Sequence, residues 1–274
     1  MNIPTHALQN SFGQIRVAEY GGQLLSWQTP DAVERLYTPD NLQLREGSAL
    51  RGGVPICFPQ FSGRGELPKH GFVRTKPWRL VERNEQQLLF SISHDAQTLA
   101  LWPHEFTLTQ TITLNENGVC MAVDFHNQSA QALSFTAALH TYLRVHDVTQ
   151  VQLVGLNNCR YEDAADNGLM KTQHGDLCIA GEVDRVFANA PKQLVLKRAA
   201  LRQAQAANMD LCIEQDGFND IVVWCPGPEI ASAFEDMPTQ DWQRMLCVEA
   251  ALAAAPIHIA AGNSWRGWQR LSCK

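Results

Sequence analysis

FTLTQTITL, residues 106–114, decides the fold class. Phe106, Leu108, Ile112 and Leu114 fall on one face of an extended chain, with Thr107, Thr109, Thr111 and Thr113 on the other. That is the period of a half-buried strand and not of a helix. Shorter runs of β-branched, aromatic or small apolar residues between turn signals occupy residues 88–93, 119–126, 134–142, 151–156, 220–224 and 244–249. Many short strands without repeated βα alternation predict an all-β chain, built as a sandwich or barrel. No glycine-rich phosphate loop of the dinucleotide or P-loop type is present. Residues 197–208, KRAALRQAQAAN, run against the pattern, because Ala, Arg and Gln favour a helix by propensity. With no linker and no internal repeat, residues 1–274 are expected to form one domain.

A chain of 274 residues can bury about three quarters of its unfolded surface, ample for a large core. Its composition, 45% hydrophobic and 18% charged, is that of an ordinary globular protein. With 28 acidic against 22 basic residues the net charge is −6, which argues against a nucleic-acid partner and against adsorption to anionic lipid. No apolar run approaches the ~20 residues that span a bilayer, and the opening MNIPTHALQNSFG lacks a secretory pattern, so the expected location is the cytoplasm. The eight cysteines form no CxxC pair and sit mostly in strand-like runs, which predicts reduced, buried thiols and no metal.

Residues 51–77, RGGVPICFPQFSGRGELPKHGFVRTKP, include nine Gly or Pro and cannot hold a helix or a long strand. Arg51, Arg64, Lys69, Arg74 and Lys76 stand here against Glu66 alone, so positive charge concentrates in one irregular loop of an acidic chain. A solvated cationic rim is the ordinary reading, but long loops in compact proteins are usually functional. The Arg fork binds phosphate oxygens bidentately, and a sugar phosphate suits such a loop. Two guanidiniums at roughly 1.5–3 kcal/mol each would favour a phosphorylated sugar over the free one by about 10² to 10⁴.

Two residues are out of place in apolar runs. His140 ends SFTAALHTYLRV, where Ala137 and Ala138 leave room for a ligand, although a lone His in such a run is commonly a hydrogen-bonded core residue. Glu249 interrupts MLCVEAALAAAP, where desolvation would cost an ionised carboxylate several kcal/mol. It is either paired structurally or retained as a chemical group. An imidazole and a carboxylate make a usable acid and base at neutral pH, but spacing alone does not bring these two together.

Taken in order, RGGVPICFPQF (51–61), LPKHGFVR (67–74), WPHEF (102–106), ALHTYL (138–143), GEVDRVF (181–187), GFNDIVVW (217–224) and DMPTQDWQRMLCVEAA (236–251) resemble the aldose 1-epimerase, or galactose mutarotase-like, superfamily. Within it they are most similar to the D-hexose-6-phosphate mutarotases. The resemblance implies a large antiparallel β-sandwich, no metal or organic cofactor, and strands rather than a helix over residues 197–208. It places the catalytic pair on His140 and Glu249: the carboxylate takes the anomeric hydroxyl proton, the protonated imidazole gives one to the ring oxygen, and rotation about C1–C2 of the open aldehyde allows either anomer to close. It also implies substrate contacts at Arg51, Lys69, His70, Arg74 and Asp184, with Arg51 and Arg74 as a phosphate clamp and Asp184 as a hydroxyl acceptor. Lys69 departs from the pattern, in which Gln is frequent, and adds charge. Asp220 and His104 lie in matching motifs, with capping or packing roles at least as apt.

The expected function is therefore interconversion of the α and β anomers of a hexose 6-phosphate, glucose 6-phosphate foremost, by a monomer whose partner is a small sugar phosphate. A non-catalytic carbohydrate-binding or sugar-sensing sandwich is the alternative, since fold alone does not fix function. A cupin-like metal oxygenase would need clustered ligands, and the nine His are scattered with no HxH pair.

Overall fold

In the computed structural model, which describes residues 4–43, 47–198 and 209–273, the opening alternation becomes the ten-residue strand Phe106–Asn115, buried at every second position. It lies in a nine-stranded antiparallel sheet whose order runs Leu177–Cys178, Val151–Val154, Gln193–Arg198, Leu211–Asp216, Ser264–Cys273, Gly118–Asn127, Phe106–Asn115, Gln87–Ser93, Arg79–Arg83. An eight-stranded antiparallel sheet runs Leu169–Thr172, Arg160–Asp163, Val183–Phe187, Asp220–Cys225, Met245–Ile259, Leu133–Leu139, Ile56–Cys57, with Tyr142–Arg144 also paired to Met245–Ile259. Thr5–Asn10, Gly13–Ala18 and Leu24–Gln28 form a third, small sheet. The expected antiparallel β-sandwich is the observed architecture. Lys197 and Arg198 end a strand, and the rest of the segment 197–208 lies outside the described residues.

The two large sheets are joined by side chains at their facing surfaces. Phe58, beside Ile56–Cys57, meets Trp102, Phe106, Phe125 and Phe135 at ring-centroid distances of 5.6, 5.8, 5.4 and 5.0 Å. Such pairs contribute ~0.5–1.5 kcal/mol each beyond the area they bury. In Met245–Ile259, Leu246, Val248, Ala250 and Leu252 enter this core, while Cys247, Glu249, Ala251 and Ala253 turn to the opposite, outer face. That face is buried as well, so the strand reads as an unbroken apolar run with one carboxylate in it.

The run 134–142 is not one strand. Pairing stops at Leu139, and the freed amides find partners in the irregular segment and across the sandwich: His140 N–H donates to Pro55 O at 2.9 Å and Tyr142 N–H to Gly53 O at 2.9 Å. Thr141 Oγ1 donates to Gln269 Oε1 in the other sheet, and Gln269 Nε2 donates to Val248 O at 3.1 Å. Gly53 also lies tight against the small sheet: at φ +60° a Cβ there would lie 2.1 Å from Leu24 O.

The cysteines are all free, with Cys57, Cys212, Cys225 and Cys247 buried and Cys178 exposed. No described helix is long and apolar enough to cross a membrane.

Candidate active site

The outer face of the eight-stranded sheet carries a pocket of about 250 Å³. Register places its floor: Val222 lies opposite Glu249, Trp224 opposite both Cys247 and Asp184, and Val186 opposite Val222. Ala138 and Ala251 pair beside them and keep the floor low, whereas Ala137 points into the core between the sheets. Segment 51–77 supplies the opposite wall with Arg51, Phe61, Ser62, Arg64, Lys69, His70 and Arg74. All seven residues expected at the site, His140, Glu249, Arg51, Lys69, His70, Arg74 and Asp184, line this one pocket.

His140 Nε2 lies 3.4 Å from Glu249 Oε1, with side chains 10% and 2% exposed. The imidazole stacks on Tyr142 (4.8 Å, 12°) and meets Trp224 edge-on (5.9 Å), so its plane is fixed from two sides. Burial pushes the His140 pKa down, helped by His70, Arg74 and Arg51. Burial pushes Glu249 up, as does Asp184, against the pull of Arg74. Both shifts favour the uncharged form of each group, and the form that opens the ring, His140 protonated and Glu249 ionised, differs from it by transfer of a single proton across the 3.4 Å contact. His140 Nδ1 and Glu249 Oε2 are buried without partners among the described residues.

The Asp184 carboxyl faces the same space with no side-chain hydrogen bond among the described residues, and burial pushes its pKa up to about 6, against Lys69 and Arg64. His70 stands at φ +65°, a backbone conformation uncommon outside glycine, and the next residue, Gly71, is left-handed too at φ +69° and has no room for a side chain, since a Cβ there would lie 2.0 Å from Phe58 O. Burial, with Arg74 and Lys69, pushes the His70 pKa down to about 3.

The cations are arranged unequally. Arg51 spends Nε and Nη2 on the two oxygens of Asp236, both at 3.0 Å, and its guanidinium covers the Phe234 ring at 4.1 Å. Arg74 Nη2 donates to Lys69 O at 2.9 Å, while its buried Nε has no partner among the described residues. Arg64 forks onto Glu162 at 3.1 and 2.6 Å and so ties the rim to strand Arg160–Asp163. Lys69 is exposed at the mouth.

Asp220 and His104 are not in the pocket. Asp220 Oδ2 accepts from Ala253 and Ala254 N–H, both at 2.8 Å, and Oδ1 from Asn189 N–H, which caps amides freed where pairing shifts between Leu252 and Ile257. His104 packs edge-on against Trp102 at 4.7 Å. Sequence reasoning passed over Tyr142, Trp224, Phe234 and Asp236, although each stands inside or beside a motif already singled out.

The family model described as Aldose 1-epimerase matches residues 4–272. A protein from Cenchrus ciliaris named "putative glucose-6-phosphate 1-epimerase" is 30% identical, over 92% of this chain and 79% of its own. One of the same name from Escherichia coli K12 is 32% identical, over 88% of this chain and 83% of its own. The crystal structure of a "putative mutarotase" from Salmonella typhimurium superposes with a TM-score of 0.86 at 26% identity, covering 100% of this chain and 92% of that one. The chain belongs to the aldose 1-epimerase family.

Proposed function

We propose that this aldose 1-epimerase family member interconverts the α and β anomers of a hexose 6-phosphate, glucose 6-phosphate foremost, with His140 and Glu249 as acid and base. The observation that carries this reading is the 3.4 Å contact of His140 with Glu249 on the floor of a pocket walled by arginines. The ring oxygen and the anomeric hydroxyl oxygen of a pyranose share one carbon, so adjacent acid and base can serve both at once. Glu249 removes the hydroxyl proton as His140 delivers one to the ring oxygen; the C1–O5 bond breaks and C1 becomes an aldehyde. Rotation about C1–C2 presents the other carbonyl face, and the reverse transfers close the ring. Each transfer contributes ~10²–10⁴ in rate, and the pair ends the cycle in its starting protonation state.

The remaining groups orient the sugar. Asp184 accepts hydroxyl protons, His70 lies beside His140 at a ring distance of 5.4 Å, and the positive charges of Arg51, Arg74 and Lys69 meet the phosphate. The Asp236 fork holds Arg51 in place before substrate arrives, which lowers the ordering cost of binding. We read residues 1–274 as one unit acting as a cytoplasmic monomer on a small sugar phosphate, without nucleic acid or membrane. The test is NMR saturation transfer between anomers, with glucose 6-phosphate exchanged well ahead of free glucose; equal acceleration of both sugars would remove the phosphate from the proposal.

A further inference from the structure

The Cys57 thiol lies under the pocket, fully buried, and takes no part in the proton transfers above. Its Sγ is 3.1 Å from Nδ1 of His70, and the Ser62 backbone N–H donates to that same nitrogen at 3.2 Å. An amide N–H only donates, so Nδ1 is the unprotonated nitrogen of the ring. A sulfur this close to a lone pair must approach through its S–H, and burial, which pushes the Cys57 pKa up, keeps that proton on. With both donors on Nδ1, the proton of the neutral ring resides on Nε2. The backbone supports the arrangement: His70 N–H donates to Ser62 O at 2.9 Å, and the ring meets Phe61 edge-on at 5.4 Å.

We propose that Cys57 is a positioning residue that, with the Ser62 amide, locks His70 in its Nε2–H tautomer, so that this ring offers the sugar a standing hydrogen-bond donor beside His140. The two imidazoles divide the work: His140 moves a proton, and His70 holds an oxygen without moving one. Among the described residues the charges that act on His70 are those of Arg74 and Lys69, both of which oppose its charged form, while Cys57 and His140 adjoin it. This inference rests on the pocket being the site of anomer exchange, but its principal readout does not require turnover.

The experiment is nitrogen NMR of the isotope-labelled histidines in the full chain, with His70→Gln supplying the assignment. The native protein should show a pyridine-like Nδ1 and a pyrrole-like Nε2 for His70, unchanged between about pH 5 and 9. Cys57→Ala leaves only the 3.2 Å Ser62 amide on Nδ1, so the ring shifts should move part of the way toward a mixed tautomer population and kcat on glucose 6-phosphate should fall by ~3- to 10-fold with little change in KM, the range set by one hydrogen bond. Cys57→Ser, which retains a donor, should restore both toward native. A protonated Nδ1 or a His70 titration near the ordinary histidine value overturns the proposal, as do native shifts and native kcat in Cys57→Ala. If Cys57→Ala does not fold, the native shifts and the serine variant decide. If no sugar is turned over, the shifts still report the tautomer, so the two failures are distinguishable.

Discussion

His140, just past the end of strand Leu133–Leu139, and Glu249, in the strand paired to it, reach the same pocket floor because Leu139 pairs with Ala250, one residue along from each. Strand pairing thus sets their 3.4 Å approach, with side chains pointing away from the core between the sheets. Changes that shift this register move the acid relative to the base.

Replacement of Arg51 or Arg74 by Met should weaken hexose 6-phosphates by ~10–10² more than free hexoses, since each guanidinium makes charge-assisted bonds worth about 1.5–3 kcal/mol. Saturation-transfer rates as a function of concentration for both sugars check this. Asp236→Asn should give a smaller loss in the same direction, because Arg51 keeps its charge and its place over Phe234 but loses its ionic fork.

In its proposed role Asp184 accepts from sugar hydroxyls best when ionised, with both oxygens then acceptors, and its pKa is pushed up to about 6. As pH falls through that value it gains a proton, and kcat/KM should fall with it. The profile is best taken with free glucose, since a phosphate's own second ionisation lies near 6. Asp184→Asn should lack this limb and have a lower kcat/KM throughout.

Glu249 is held above the usual carboxylate range chiefly by burial. A carboxyl with a raised folded-state pKa ionises more readily in the unfolded chain. Its cost to stability is therefore absent below the unfolded value of about 4.3 and grows as pH rises toward the folded one. Glu249→Gln should accordingly be inactive yet more stable than the native protein at pH near 7, an advantage that shrinks as pH falls toward about 4. Urea midpoints across that range measure it.

Asp220 satisfies three backbone amides from a position only 5% exposed. Asp220→Ala leaves them unpaired at a cost on the order of 3 kcal/mol, read from urea unfolding. Because Asp220 lies outside the pocket, exchange rates of the folded fraction should stay close to native.

The strand Phe106–Asn115 was legible because alternation is a local signal, yet Gln110 also belongs to its buried face, with neither amide atom partnered among the described residues. Its polar type kept it out of an apolar pattern. The break at His140 was not legible, since the partners that replace the ladder, Gly53 O and Pro55 O, come from a segment whose path depends on tertiary contacts. Glu249 stood out locally as a carboxylate in an apolar run, but its meeting with His140 was reached through resemblance and not through spacing. Arg51 and Arg74 were legible as concentrated charge. The partner of Arg51 was not, because Asp236 lies 185 residues away and comes together with it only in the fold. Tyr142 and Trp224 read as ordinary strand aromatics, because alternation tells which residues share a face but not whether that face carries a pocket.

In the proposed reaction one imidazole and one carboxyl group carry the two protons of ring opening. Its most direct test is the α/β exchange rate of glucose 6-phosphate by saturation transfer, compared among the native chain, His140→Asn and Glu249→Gln, with the fold of each verified. Native exchange should run far above the spontaneous rate, with a fall of at least ~10² in each variant. Exchange near the native rate in both folded variants would contradict it.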